Sequence, residues 1–411
     1  MTATVVVVYT AGAASPLELA VDAEGYDLVF AAPVGELEDG LADLLAAVGD
    51  VVDVTDEAAG AAVLAARDPA GIVVFCDRDL PLAQRLASRL GLEFHSPSTV
   101  HAATDKYVQR GRLRDAGLPV PRFRLVEQPG EVLEALDSVG TPAVLKPVRG
   151  AGSQQTYRLD GPQDALRYAA DAFASGEADQ VVVEEMLVGC PSVAGPGLGD
   201  YVSVEMLLWR GTVACQVLNS RLPLREPFRE QGFIMPGLLP EKDEAEAFRV
   251  TEAACHALGL RDGWIDVELK LTADGPVVIE VNARMGGYVA ALLHRSYGVG
   301  AVGLAFDVAV GRRPVVSLGE PAATAFCYQI LPPLGDWRLA SWGNVADLTE
   351  RHPEILSVVL TAEPGDRVDW RSGSRGTIGV VEGMAEGPDA VLTAVRAIER
   401  AIADEVVFSP A

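Results

Sequence analysis

The stretch Ile265–Gly287, IDVELKLTADGPVVIEVNARMGG, constrains this chain more than any other. Ile265, Val267, Leu269 and Leu271 alternate with Asp266, Glu268 and Lys270; Val277, Ile279 and Val281 alternate with Val278, Glu280 and Asn282. Alternation with period two marks half-buried strands, and Asp274-Gly275 between them marks a hairpin. With a loop over Ala273–Gly275, Thr272 sits opposite Pro276, and counting back sets Glu268 across from Glu280 and Asp266 across from Asn282. Like charges directly opposite on one sheet face destabilise the pairing. A solvated acidic face would account for one carboxylate; three with an amide, followed at once by ARMGG, ask for a cation. Mg2+ takes hard oxygen ligands, commonly one or two carboxylates with phosphate oxygens. Glu268, Glu280 and Asn282 offer that set, and Arg284, two residues on, offers a positive fork for phosphate or acyl-phosphate oxygens.

The remaining totals narrow the class. A length of 411 residues suggests two or three domains. With 49% apolar and 22% charged residues, the chain has the profile of a folded globular protein. Its 33 basic and 58 acidic side chains give a formal net charge of −25, with no clustered basic footprint outside one short loop, so no nucleic-acid partner is expected. No apolar run approaches the roughly 20 residues that span a bilayer, so no membrane partner is expected either. The opening MTATVVVVYT has no basic stretch before its apolar run and reads as a first strand, not a signal peptide. Cys76, Cys190, Cys215, Cys255 and Cys327 are scattered and lack metal-ligand spacing, which suits buried thiols in a reducing cytoplasm. The five histidines form no pair at ligand spacing, which disfavours zinc.

Short Val-rich runs at 4–9, 27–31, 51–54 and 71–75 alternate with helical stretches near 15–23, 37–48, 57–66 and 79–90. That order predicts an N-terminal Rossmann-like α/β domain over 1–102, with a small parallel sheet. YTAGAASP after the first strand lacks G-x-G-x-x-G, so the sheet reads as scaffold and not as a nicotinamide site. A helix over about 103–116, stopped by Gly117, opens the next domain, expected over 103–318. Within it a βαββαβ pattern over about 121–188 reads as a compact mobile lid. Residues 191–199 form a Pro/Gly-rich loop, followed by strands 201–209 and 212–218, an irregular Arg-bearing loop and a helix 241–259. A helix over 300–310 closes this domain, and 319–411 shift to short strands and a helix near 388–404, a C-terminal α+β segment. The class is α/β throughout.

Two further stretches carry chemistry. LKPVRGAGSQQ sets Lys146 at a strand end before Gly150, Gly152 and Ser153; glycines let backbone N–H groups close on phosphates, and Lys adds a point charge. Because the Lys precedes the glycines, this is not a Walker P-loop. VVVEEMLVG reads either as a buried strand with a charged end or as a backbone edge for adenine, with the Glu185 C=O and Leu187 N–H as the pair. Arg221, Arg225 and Arg229 read as a solvated loop in preference to a clamp for an acidic substrate.

Taken in order, TDKYVQR, LKPVRGAGS, VVVEEMLVG, VSVEML, VELKL and IEVNARMGG resemble the ATP-grasp superfamily across residues 1 to about 310. PFREQGFIMPGLLP (Pro227–Pro240) is similar to the carboxylate–amine ligases that join amino acids, such as the bacterial L-amino acid ligases. The resemblance implies ATP and two Mg2+ ions, with Mn2+ as a substitute, and an amide formed through an acyl phosphate with release of ADP and phosphate. Lys106 and Lys146 would hold the ATP phosphates under the Gly150–Ser153 loop, Glu184 to Leu187 would form the adenine hinge, and Asp200 or Glu205 would meet the ribose. Glu268, Glu280 and Asn282 would hold the metal, Arg284 would steady the acyl phosphate, and Glu230 would receive the substrate amino group. Family members commonly carry His where this chain has Phe233, and often His at Asp266, both toward the substrate side. The implied partners are a small-molecule carboxylate and amine, with a carrier protein as alternative acceptor and a homodimer left open. A non-catalytic ATP sensor is the rival reading, and the joint presence of Glu268, Glu280, Asn282 and Arg284 argues against it.

Overall fold

A computed structural model describes residues 2–10, 14–150, 152–176 and 178–411. Ala11–Ala13, in the loop after the first strand, and Ala151, in the glycine loop, lie outside the described residues. Four strands, β1 (Ala3–Val8), β2 (Tyr26–Ala32), β3 (Asp50–Asp53) and β4 (Gly71–Val74), form a parallel sheet in the order β3-β2-β1-β4. Val5 to Val8 are wholly buried because helices cover both faces, which is why β1 reads as a continuous apolar run and does not alternate.

The helix expected over 103–116 is two helices. Pro97–Thr104 ends at Asp105, whose extended backbone (φ −126°) breaks the run and whose side chain caps Lys106–Asp115 by accepting from Val108 N–H at 2.9 Å. This second helix turns Lys106, Gln109, Arg110 and Leu113 to one side, the i, i+3, i+4, i+7 spacing.

Four antiparallel strands then build the lid: β5 (Phe123–Val126), β6 (Ala143–Pro147), β7 (Tyr157–Leu159) and β8 (Val181–Glu185), in the order β5-β8-β6-β7. Helices Val132–Val139 and Pro162–Ala174 cover one face and give the lid its own core, including Val126, Leu136, Leu145 and Val183.

The central sheet holds eight strands. β9 (Tyr201–Trp209), β10 (Thr212–Arg221), β11 (Gly232–Met235), β12 (Gly263–Thr272) and β13 (Gly275–Asn282) come from the middle of the chain. The C-terminal segment adds β14 (Thr324–Ile330), β15 (Trp337–Ser341), β16 (Ile355–Leu360), β17 (Arg367–Val368), β18 (Gly379–Ala385) and β19 (Val407–Pro410). The order β13-β12-β9-β10-β11-β14-β18-β16 makes the segment after 319 an extension of the same sheet; β17-β15-β19 form a small sheet apart. The loop expected around the arginines is more ordered than its composition suggests, because β10 runs on to Arg221 and β11 pairs back onto it.

The opening hairpin contains one correction. Glu268 does face Glu280 and Asp266 does face Asn282, but Thr272 pairs with Gly275, not Pro276. A β-bulge between these two halves takes up the one-residue difference. The core-facing residues of β13 are therefore Val278 and Val281, both fully buried, and not the simple series Val277, Ile279, Val281. The two faces of the sheet differ accordingly. Val202, Val204, Val267 and Leu269 point into one core with the helix Glu241–Leu258, while the opposite face passes from apolar (Leu207, Trp264) to charged (Glu205, Asp266, Glu268) along the strands. Among the described residues, no single helix is long and apolar enough to cross a membrane.

Candidate active site

The charged end of that sheet face forms one wall of a cleft of about 960 Å³, mouth included, whose other wall is the lid. Ten of the expected residues line it: Lys106, Lys146, Gly150, Ser153, Glu184, Glu185, Leu187, Glu230, Glu268 and Glu280.

Lys106 Nζ lies 2.8 Å from Glu280 Oε1 and donates to the Gly150 carbonyl at 2.7 Å, tying helix, sheet and glycine loop at one point. Gln109, one helical turn on, clamps the backbone of the edge strand: its side chain accepts from Val281 N–H and donates to Val281 C=O, each at 2.9 Å. Arg110 donates to the carbonyl of Ile279, which sits at the bulge. The bulge thus gives Arg110 an acceptor and lets Ile279 and Glu280 line the same cleft.

Glu184 is placed differently from a simple hinge residue. Its carboxylate is buried between Lys146 Nζ at 2.8 Å and Arg110 Nε at 3.0 Å. Burial pushes the Glu184 carboxyl up, but Arg110 and Lys146 together hold it below the usual range; burial in turn lowers the Lys146 ammonium. Period two turns the neighbouring Glu185 outward to Arg122 at 3.0 Å, so the two acids of VVVEEML do different work. Met186, between Glu185 and Leu187, also lines the cleft, and its N–H donates to Pro142 C=O at 3.2 Å.

On the sheet wall, burial pushes Glu268 well above the usual carboxylate range, and Glu230 and Asp266 push it further. Burial raises Glu280 as well, but Lys106, Lys146 and Arg110 outweigh it and hold it low. Two opposed carboxylates, one of them strained in its charged form, are the donor chemistry that a hard divalent cation relieves. Asn282 donates its amide N–H to Asp266 at 3.2 Å, which leaves its oxygen as the third donor. Among the described residues, no group of three or more His, Cys, Asp or Glu is arranged to hold a metal, so the fit rests on two carboxylates, one amide and oxygens from a ligand.

The other expected residues lie beside the cleft. Arg284 is held by Asp77 at 2.8 Å and Asp266 at 3.0 Å; burial lowers its guanidinium, but these carboxylates raise it further, so it stays charged. Glu205 is wholly buried, accepting from Gly286 N–H at 3.0 Å, with Asp266 beside it in the strand register. Asp200 pairs with Lys270 at 2.6 Å and lines an adjoining groove, while Lys270 lines both. Gly152 turns away from the cleft toward the C-terminal segment. Phe233 lies under the Arg221 guanidinium, 4.1 Å from its ring centre.

The solvated loop expected over the three arginines is overturned at two of them, and only Arg225 is exposed. Arg221 is buried and pairs with Glu230 at 2.6 Å, Arg229 is buried on backbone carbonyls of Glu226 and Pro332, and Arg225 is an exposed partner of Glu399. Sequence reasoning missed Arg110, Lys270 and Tyr201, all on the cleft, and Asp77 behind Arg284. Arg110 was open to discovery, because it stands at i+4 from Lys106. Asp77 was not: it lies 207 residues away in sequence, just after β4.

Residues 139–291 match the model of the ATP-grasp domain. This stretch is an ATP-grasp domain. Every cleft residue named above except Lys106 and Arg110 falls within it. Carnosine synthase 1 of Homo sapiens is 32% identical over 259 residues, 60% of this chain and 31% of its own length. A D-alanine–D-alanine ligase of Delftia acidovorans is 27% identical over 208 residues, 48% of this chain and 60% of its own. The chain thus spans about a third of the one relative and under two thirds of the other. The L-amino acid ligase from Bacillus licheniformis superposes with a TM-score of 0.78 at 21% identity, covering 100% of this chain and 99% of that one, which shows a shared fold around the ATP-grasp domain.

Proposed function

We propose that the protein is an ATP-dependent carboxylate–amine ligase acting on amino-acid-like substrates, with ADP and phosphate as products. The observation that carries this reading is the cleft itself: Lys106, Lys146, Glu268 and Glu280 line one cavity beside the Glu185–Leu187 edge, with Lys106 paired to Glu280 and Lys146 to Glu184. That edge takes the adenine, the two lysines hold the phosphates, and Glu268, Glu280 and Asn282 hold Mg2+. The bound cation supplies neutralisation of triphosphate charge.

A substrate carboxylate oxygen attacks the γ-phosphorus and ADP leaves with the pair of electrons of the broken P–O bond. The amine then attacks the acyl carbon, and phosphate leaves with the former carboxylate oxygen and takes up the proton that the amine gives up. The chain's work is to position and to balance charge, so no side chain acts as a covalent nucleophile. Arg284 steadies the transferred phosphoryl group by shifting from Asp77 or Asp266. Glu230 accepts the substrate ammonium, and Arg221, stacked on Phe233, fixes the carboxylate that does so. The names of the relatives, carnosine synthase, D-alanine–D-alanine ligase and L-amino acid ligase, support an amino-acid substrate.

A screen of amino-acid pairs with Mg-ATP tests the reading. One pair or more should release ADP and phosphate in equal amounts; release that ignores which amino acids are present would contradict it.

A further inference from the structure

The segment Trp370–Gly376 lies far beyond residues 139–291 in sequence, yet it touches the glycine loop directly. Gly373 has φ 59° and ψ −135°, a conformation that favours glycine. A Cβ there would overlap the Gly152 carbonyl oxygen. Ser374 donates its backbone N–H to that same oxygen at 2.9 Å, with its hydroxyl at 3.5 Å. Trp370 packs against the lid's own core, so the segment grips the lid at two places.

A trans peptide sets its C=O and the following N–H on opposite sides. Fixing the Gly152 oxygen to Ser374 therefore turns the Ser153 N–H the other way, and Ser153 lines the cleft. Gly152 and Ser153 both have positive φ, 69° and 56°, in a turn of the kind whose amides gather on an anion.

We infer that Gly373 and Ser374 are positioning residues for the nucleotide phosphates: through Gly152 they hold the glycine loop with its amides aimed into the cleft. The inference rests on the nucleotide reading of that cleft. It adds that the phosphate site is completed by a segment outside the ATP-grasp match.

Calorimetry on the full chain, with Mg-ATP and with adenosine as probes, tests this using Gly373→Ala and Ser374→Pro. Loss of one such backbone contact should weaken Mg-ATP roughly tenfold, while adenosine, which has no phosphate, binds as before. Unchanged Mg-ATP affinity in both variants overturns the inference, and so does equal loss for both probes, which would mean a general collapse of the lid. If the unaltered protein binds neither probe, the nucleotide reading itself fails, a result distinct from either of these. Hydrogen exchange needs no variant: the Ser374 amide should exchange slowly in the free protein, and exchange at the rate of an open amide overturns the contact.

Discussion

Lys106 and Glu280 form an ion pair of 2.8 Å across the floor of the cleft, and Lys106 also holds the Gly150 carbonyl. The lysine neutralises the carboxylate where a metal and phosphates would otherwise do so. On the proposed function, Mg-ATP would exchange this contact for one between Lys106 and phosphate and another between Glu280 and the cation.

Glu280→Gln should then lower turnover by more than about a hundredfold, since loss of a mere supporting bond around a metal costs roughly 10–100-fold. Initial rates across a magnesium series measure it. Near-normal rates at low magnesium would show that Glu280 holds no metal.

Lys106 and Arg110 share a helix face but should fail differently. Arg110 is 1% exposed and serves Glu184 and the Ile279 bulge, so Arg110→Met leaves a buried acid short of a partner. Breaking such a pair costs about 3–5 kcal/mol, readable by denaturant unfolding. Lys106→Met also takes a partner from Glu280, but Lys146 and Arg110 still hold that acid, so its loss of stability should be the smaller of the two, and it should raise the KM for ATP roughly tenfold or more. Equal stability losses in the two variants would count against this division.

At Glu230 the choice of variant matters. Glu230→Ala strips buried Arg221 of its partner and should destabilise the protein as well as weaken substrate. Glu230→Gln keeps a hydrogen-bond acceptor and removes only the charge. It should raise the KM of the amino-bearing substrate while leaving that of ATP close to its starting value, the loss of a charged partner amounting to about 2–5 kcal/mol. Full activity toward acids with no amino group would refute the role.

His95, beside Phe94 in the cavity behind Arg284, gives the fold an acid-sensitive limb. Burial lowers its pKa from 6.5 to about 4, against a smaller opposing pull from Asp262. The unfolded chain takes up the proton first, so the stability of the neutral ring is complete above about pH 6.5 and is lost as pH falls toward 4. His95→Gln should flatten stability across that window; an unchanged slope in urea unfolding at several pH values would exclude His95 as its source.

Much of the site was legible because charge interrupts periodicity. Glu268, Glu280 and Asn282 fix the register of one half of the hairpin, since each is costly on the apolar face. The bulge was hidden because Val277, Val278 and Ile279 are all apolar, and either register satisfies them. Glu184 and Glu185 are identical as letters, and only the pairing of β8 with β5 and β6 decides which one faces inward to Lys146. Glu205 lies beside Asp266 through the pairing of β9 with β12, a contact 61 residues apart that no local pattern announces. The tie between Gly152 and Ser374 joins even more distant segments and depends on backbone shape at Gly373.

The central claim is that the substrate carboxylate is activated by phosphorylation, and oxygen transfer tests it most directly. With both carboxylate oxygens of the acid labelled as 18O, one turnover should leave one 18O in the released inorganic phosphate, seen by mass spectrometry or 31P NMR, with ADP formed in equal amount. Label appearing in AMP, or phosphate released without label, would contradict the mechanism.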